Sequence, residues 1–226
     1  HKGARSIPVH EEIDPPQGVV LPSRVVEHFI EQATHHWIMN HCICRETGHC
    51  QDYPIDLGCL FLGEAVLGIN PKLGRLVTKE EALAHVRRCR EAGLVHLIGR
   101  NKLDTIWLGI GPGDKLLTIC NCCPCCCLWG TLPHMVPFIS DKVTRMEGVS
   151  VTVNDRCVGC GQCTKGICFV DAIRLADGRA TIDEDLCRGC GRCVQACPQG
   201  SIELAIEYDH TIEKVVTHIA SLVDVS

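Results

Sequence analysis

Cys157, Cys160 and Cys163 are each separated by two residues, and the same arrangement returns thirty residues later at Cys187, Cys190 and Cys193. The surrounding residues repeat as well: Asp155-Arg156-Cys157-Val158-Gly159-Cys160-Gly161-Gln162-Cys163 is answered by Asp185-Leu186-Cys187-Arg188-Gly189-Cys190-Gly191-Arg192-Cys193. Three thiolates at this spacing wrap one face of a cuboidal iron–sulfur cluster, and the interleaved glycines free backbone amides to donate to its sulfurs. A zinc site uses a single C-x2-C pair per hairpin instead. Each triad has a later companion, Cys168 after the first and Cys197-Pro198 after the second.

The rest of the composition agrees with ligation rather than disulfides. The chain has 226 residues and 19 Cys, whereas disulfide scaffolds belong to short secreted chains with small cores. An odd count leaves one thiol unpaired, and runs such as Cys122-Cys123 and Cys125-Cys126-Cys127 cannot all bridge to different places without strain. The expected location is therefore a reducing, anaerobic cytoplasm, with any membrane complex reached through a partner. The longest apolar stretch, 57–69, carries Glu64 and is too short to span a bilayer. A net charge of -5, with both signs interspersed, is not built to neutralise phosphate and argues against nucleic acid. At 46% hydrophobic the chain can bury a core, which excludes global disorder.

The pattern of elements divides the chain in three and gives an α+β fold. Residues 1–148 form a Cys-rich N-terminal domain. Its start, through Pro15-Pro16 and Pro22, reads as extended. Ser23 opens a helix to about His36, with Val25, Val26, Phe29, Ile30 and Ala33 inward. Thr78 and Glu81 form a capping box for a second helix that ends near Gly93. β-like runs follow at 94–98, 105–110 and 116–119. Residues 149–208 read as two strand–loop–helical turn–strand units, with short β-like runs at 149–153, 172–175, 180–182 and 201–206 and a turn at Asp177-Gly178. Residues 209–226 form an amphipathic helix that docks on the body, with Ile212, Val215, Val216, Ile219, Leu222 and Val223 at helical spacing.

Eleven cysteines lie outside the repeat. Cys89 falls in the second helix and reads as packing. The other ten, Cys42, Cys44, Cys50, Cys59, Cys120, Cys122, Cys123, Cys125, Cys126 and Cys127, sit in two stretches. A subset of them is expected to hold one or more additional iron–sulfur clusters, shared between the Cys42–Cys44–Cys50 loop and the 120–127 run. Alternation along a strand turns Cys120, Cys122 and Cys125 one way and Cys123 and Cys127 the other, with Pro124 breaking the register. Arg45 and His96 are candidates for outer contacts to such a centre, and Arg156, Arg188 and Arg192 stand beside repeat cysteines.

Residues 149–208 resemble the bacterial two-cluster ferredoxins. The resemblance implies a pseudo-twofold 2[4Fe-4S] fold in which each fourth cysteine crosses over. One cluster takes Cys157, Cys160, Cys163 and Cys197; the other takes Cys187, Cys190, Cys193 and Cys168. The first half departs from the pattern by one extra residue before Cys168 and by Phe169 in place of proline. C-x-C-R with a later Cys, Gly93-Leu94-Val95-His96 and Cys-Asn-Cys-Cys-x-Cys-Cys-Cys resemble a family of anaerobe iron–sulfur proteins with this N-terminal region ahead of a two-cluster ferredoxin. The implied function is multi-cluster electron transfer between a donor and a partner oxidoreductase, within a larger complex. Two alternatives stand beside it. One is a reductase whose N-terminal thiolate-rich centre acts on a disulfide, sulfur species or other small oxidised substrate. The other is a zinc or cluster-carrier role for the N-terminal cysteines.

Overall fold

The structure, a computed structural model, describes residues 4–7, 23–100, 102–136, 143–207 and 211–226. The extended reading at Pro15, Pro16 and Pro22 lies outside those residues. The N-terminal part is built on a seven-stranded sheet of β1 (Ala4–Ile7), β2 (His36–Met39), β3 (Leu60–Leu62), β4 (Gly74–Val77), β5 (Val95–Gly99), β6 (Leu117–Cys122) and β7 (Val143–Arg145). Its order is β4-β2-β3-β6-β5-β1-β7, antiparallel throughout except for the parallel β1–β7 pair.

Helices α1 (Ser23–Gln32), α3 (Lys79–Glu91) and α6 (Thr211–Ala220) supply the core on one face of this sheet. Val25, Val26, Phe29 and Ile30 of α1 meet Ala82 and Val86 of α3, Ile212, Val215 and Ile219 of α6, and Ile38, Leu60, Leu62, Ile98, Leu117 and Ile119 of the strands. Each large side chain taken fully out of water there contributes roughly 1.5–3 kcal/mol. The segment after α6 is tied down too, with Thr34 N–H donating to Val225 O at 3.0 Å and Asp224 N–H to Asp114 O at 2.8 Å. The capping box at the start of α3 is present, Thr78 accepting from the Glu81 amide and Glu81 from the Thr78 amide.

Three sequence expectations change. The C-terminal helix ends at Ala220 rather than running to Ser226, and an irregular segment beyond it buries Val223 and Val225. The first helix stops at Gln32, and His36 opens a strand, buried, with its Nε2 donating to Ile30 O at 2.6 Å. The β-like run at 105–110 is instead α4 (Lys102–Leu108). A helical turn carries Asp104 inward to accept from Thr118 Oγ1 at 2.6 Å and from Trp107 Nε1 at 3.1 Å, and it leaves Leu103 and Ile106 exposed. This tertiary anchoring of Asp104 outweighs the β propensity of Thr105, Ile106 and Trp107.

The C-terminal part has two small antiparallel sheets. β8 (Val149–Val153) pairs with β11 (Ile202–Ile206), and β9 (Ile173–Ala176) pairs with β10 (Arg179–Ile182). Asp177 and Gly178 between β9 and β10 have φ of 50° and 73°, the two positive values a type I′ turn needs. Each cysteine triad ends inside a short helix, Cys163 in a single turn at Gln162–Thr164 and Cys193 in α5 (Arg192–Ala196). The chain is thus mixed α/β with a cysteine-rich N-terminal region. No described helix is long and apolar enough to cross a membrane.

Candidate metal centres

Cysteines of the repeat gather in two places. Cys157, Cys160, Cys163 and Cys197 line one pocket together with Gly159, Gly161 and Pro198. Cys168 lies close enough to Cys187, Cys190 and Cys193 for its charge to raise their thiol pKa values, with burial the larger cause in each case; Cys190 is pushed up to about 11. Backbone amides point at the sulfurs: Ala180 N–H to Cys157 at 3.4 Å, Ala172 to Cys168 at 3.3 Å, Gly189 to Cys187 at 3.4 Å and Ser201 to Cys197 at 3.3 Å. Gly159 shows why the loop needs glycine. It has φ +66°, and a Cβ there would stand 2.1 Å from Gly178 O.

The N-terminal cysteines also divide, though not as the alternation argument has it. Seven of them line a cavity of about 320 Å³, within the range of small-molecule and cofactor sites; six, Cys42, Cys44, Cys59, Cys120, Cys122 and Cys127, belong to it alone, while Cys123 is shared with a second group. Cys42 and Cys44 flank the start of α2 (Ile43–Thr47), Cys59 precedes β3, and Cys120 and Cys122 project from the same face of β6. Neighbouring thiols shift one another's pKa in the order Cys42, Cys44, Cys127, Cys122, Cys120, Cys59. Cys122 and Cys59 hold the Cys120 thiol well below the usual range. Cys122 and Cys44 hold Cys127 down to about 6. The Trp129 indole and backbone amide add donors to these same two sulfurs. Cysteine sulfurs gathered in this way are soft donors suited to thiophilic metals.

Cys50, Cys125 and Cys126 join Cys123, on the cavity wall, in a second group, with all four sulfurs within 4.8 Å of one another. Pro124 is the reason: beyond it the chain turns rather than continuing β6, so Cys125 joins Cys123 and Cys127 returns to the cavity. Cys50 accordingly parts from Cys42 and Cys44, with which it shares a loop. Cys89 is fully buried beside Leu94 and Cys123, and burial pushes its thiol up to about 12.

Arg45 is fully buried and donates Nε to Pro54 O at 2.8 Å, Nη1 to Asn121 O at 2.8 Å and Nη2 to Leu57 O. It therefore braces three backbone segments around the cysteines and faces the sulfurs of Cys42, Cys59 and Cys123 with its charge. His96 reaches the site through Asn121, the residue between Cys120 and Cys122. Its Nδ1 donates to Asn121 Oδ1 at 2.7 Å, and Asn121 Nδ2 donates to Gly58 O at 2.7 Å. Burial drives the His96 pKa down to about 4, so the ring is neutral. Asp104 also borders the cavity, its carboxyl pushed up to about 7 by burial and by Cys120. Asn121 stands in the sequence only as the spacer of the Cys120–Cys127 run, and nothing near Asp104 in sequence points to this cavity.

The two regions share a core. Cys122, Val95 and Leu97 pack with Phe169, Val170, Ala172 and Cys190, and Cys120, Cys127, Cys168 and Cys187 lie against that cluster. Arg192, between Cys190 and Cys193, crosses the same boundary and donates Nη2 to Cys122 O at 2.7 Å and Nη1 to Tyr53 Oη at 3.3 Å. Arg156, by contrast, stays at the surface against Gly200 O and Glu203.

The 4Fe-4S binding domain family matches residues 180–203, which contain Cys187, Cys190, Cys193 and Cys197. This segment is of the iron–sulfur ferredoxin type, and the match implies a [4Fe-4S] cluster and an iron–sulfur electron-transfer role. No curated protein and no solved structure matches the chain.

Proposed function

We propose that the chain is a multi-cluster electron-transfer protein or subunit, passing low-potential electrons between a donor and a partner oxidoreductase. The C-terminal module is a pseudo-twofold 2[4Fe-4S] ferredoxin, with one cluster on Cys157, Cys160, Cys163 and Cys197 and the other on Cys168, Cys187, Cys190 and Cys193. A further iron–sulfur centre occupies the six-thiol cavity. Bound clusters supply reversible one-electron redox chemistry. The residues of the chain set its conditions. Amides of Ala172, Ala180, Gly189 and Ser201 donate to thiolate sulfurs and favour the more negative state. Arg45 and Arg192 place positive charge beside thiolates in buried surroundings.

The observation that carries this reading is the shared core of Phe169, Cys190 and Cys122, against which Cys168 and Cys187 pack along with Cys120 and Cys127. An anaerobic redox titration followed by EPR tests it. The expected result is three or more centres that cycle reversibly, with spin coupling between a ferredoxin cluster and the cavity centre. Centres that do not cycle would overturn it.

A second reading has one specific observation in its favour. Six thiols exceed the four that a cubane needs, and the cavity mouth is rimmed by the exposed Leu103, Ile106, Trp107 and Leu128. This suits a reductase whose cavity centre accepts a disulfide or sulfur species. Perturbation of the reduced EPR spectrum by a small exogenous thiol supports it, and a spectrum indifferent to such ligands opposes it.

A further inference from the structure

We infer that Cys50, Cys123, Cys125 and Cys126 form a mononuclear tetrathiolate zinc site, distinct from the iron–sulfur centres. The argument is one of size. With zinc–sulfur bonds of about 2.3 Å, the four sulfurs of a tetrahedron stand about 3.8 Å apart. Around a cubane each thiolate sits outside its own iron, and the sulfurs stand about 6 Å apart. Here Cys50 and Cys125 are separated by 3.6 Å, as are Cys125 and Cys126, and all four sulfurs lie within 4.8 Å. Among the described residues, no three of the eight repeat cysteines and no three of the six cavity cysteines are gathered so tightly.

The surroundings fit a closed tetrathiolate. The Cys126 amide donates to Cys123 Sγ at 3.3 Å, and the amides of Asp52 and Tyr53 donate to Cys50. Each loop thus turns its backbone dipoles on a sulfur, as structural thiolate sites require. Arg45 lies against Cys123 and offsets part of the negative charge that four thiolates leave around a divalent ion. Four protein sulfurs fill a tetrahedral shell, so no position remains for substrate. Between zinc and ferrous iron, the stability order of divalent metals favours zinc.

The site has a structural consequence for its neighbours. Cys50 belongs to the loop after α2 and the other three to the loop after β6, so one ion joins both. That loop begins at Cys122 and ends at Cys127, two walls of the cavity. The other loop carries Tyr53, which receives Arg192 from the ferredoxin module. The ion therefore locks the cavity wall and the contact between the two regions.

The test uses the full chain purified anaerobically. Metal analysis is expected to give one zinc per chain, and zinc K-edge absorption fine structure a single shell of four sulfurs at about 2.3 Å. Cys125→Ser replaces an exposed member of the site. It is expected to make zinc at least tenfold faster to extract with a chelator, while iron per chain stays unchanged. Absence of zinc, nitrogen or oxygen ligands in the shell, unchanged extraction, or loss of iron in the variant would each overturn the assignment. If the variant does not fold, the absorption spectrum of the wild-type protein decides alone.

Discussion

Replacing Arg45 by Met keeps the apolar stem of the side chain and removes every donor. The carbonyls of Asn121 and Leu57 lose buried partners, and that of Pro54 loses one in a half-buried setting. An unsatisfied buried acceptor costs about 1–3 kcal/mol. Two full penalties and one partial one, less some apolar gain from Met, give an expected loss of about 3–5 kcal/mol. That is a large share of the roughly 5–15 kcal/mol that holds a domain together. The variant also removes the cation facing Cys42, Cys59 and Cys123, so the negative charge of ligating thiolates loses a partner and metal retention weakens. Arg45→Lys restores charge without the planar fork and is expected to fall between the two. Anaerobic urea unfolding followed by tryptophan fluorescence reads the difference. If Arg45→Met unfolds within about 1 kcal/mol of wild type, Arg45 does not brace the site and the reasoning fails.

Other outcomes follow from single contacts. His96 is neutral in the fold with a pKa near 4 against 6.5 when exposed, so the unfolded chain binds more protons between those values and stability falls as pH drops from about 6.5 towards 4, by up to about 3 kcal/mol. His96→Asn keeps a donor towards Asn121 and should flatten this part of the urea-midpoint-against-pH curve; a slope equal to wild type would refute it. Gly159→Ala places a methyl 2.1 Å from Gly178 O and should lower retained iron after gel filtration, whereas Gly130→Ala, with open space around it, should not. Arg192→Ala removes the donors to Cys122 O and Tyr53, and should loosen the boundary between the two regions, seen as faster amide exchange at Tyr53 and Cys122. Unchanged exchange there would show that apolar packing alone holds the two together.

Where local chemistry decided the structure, the sequence was a sufficient guide. The Thr78–Glu81 box and the Asp177-Gly178 turn each rest on residues a few positions apart and appear as the pattern implies, and the apolar stripe of α6 does so as far as Ile219. α4 was read as a strand because Thr105, Ile106 and Trp107 favour extended backbone, while the partner that holds Asp104 inward, Thr118, lies on β6. The grouping of the N-terminal cysteines had the same difficulty. Alternation along β6 correctly turns Cys120 and Cys122 to one face, but Pro124 resets the direction of the chain. The pairing of Cys127 with Cys44 and of Cys125 with Cys50 then depends on loops that meet only in three dimensions. Arg192 illustrates a different gap. Its place between two cysteines suggested a role beside a cluster, but nothing local points to Cys122 O, seventy residues away.

An iron–sulfur centre in the six-thiol cavity adds its iron to that of the ferredoxin module. Iron and acid-labile sulfide per chain, counted on anaerobically purified protein and on Cys120→Ser/Cys122→Ser, therefore distinguish the two sites. Two cubanes contain about eight irons, so about twelve or more are expected in the wild type, with a loss of at least about four in the variant. About eight irons in both proteins would contradict a centre in the cavity.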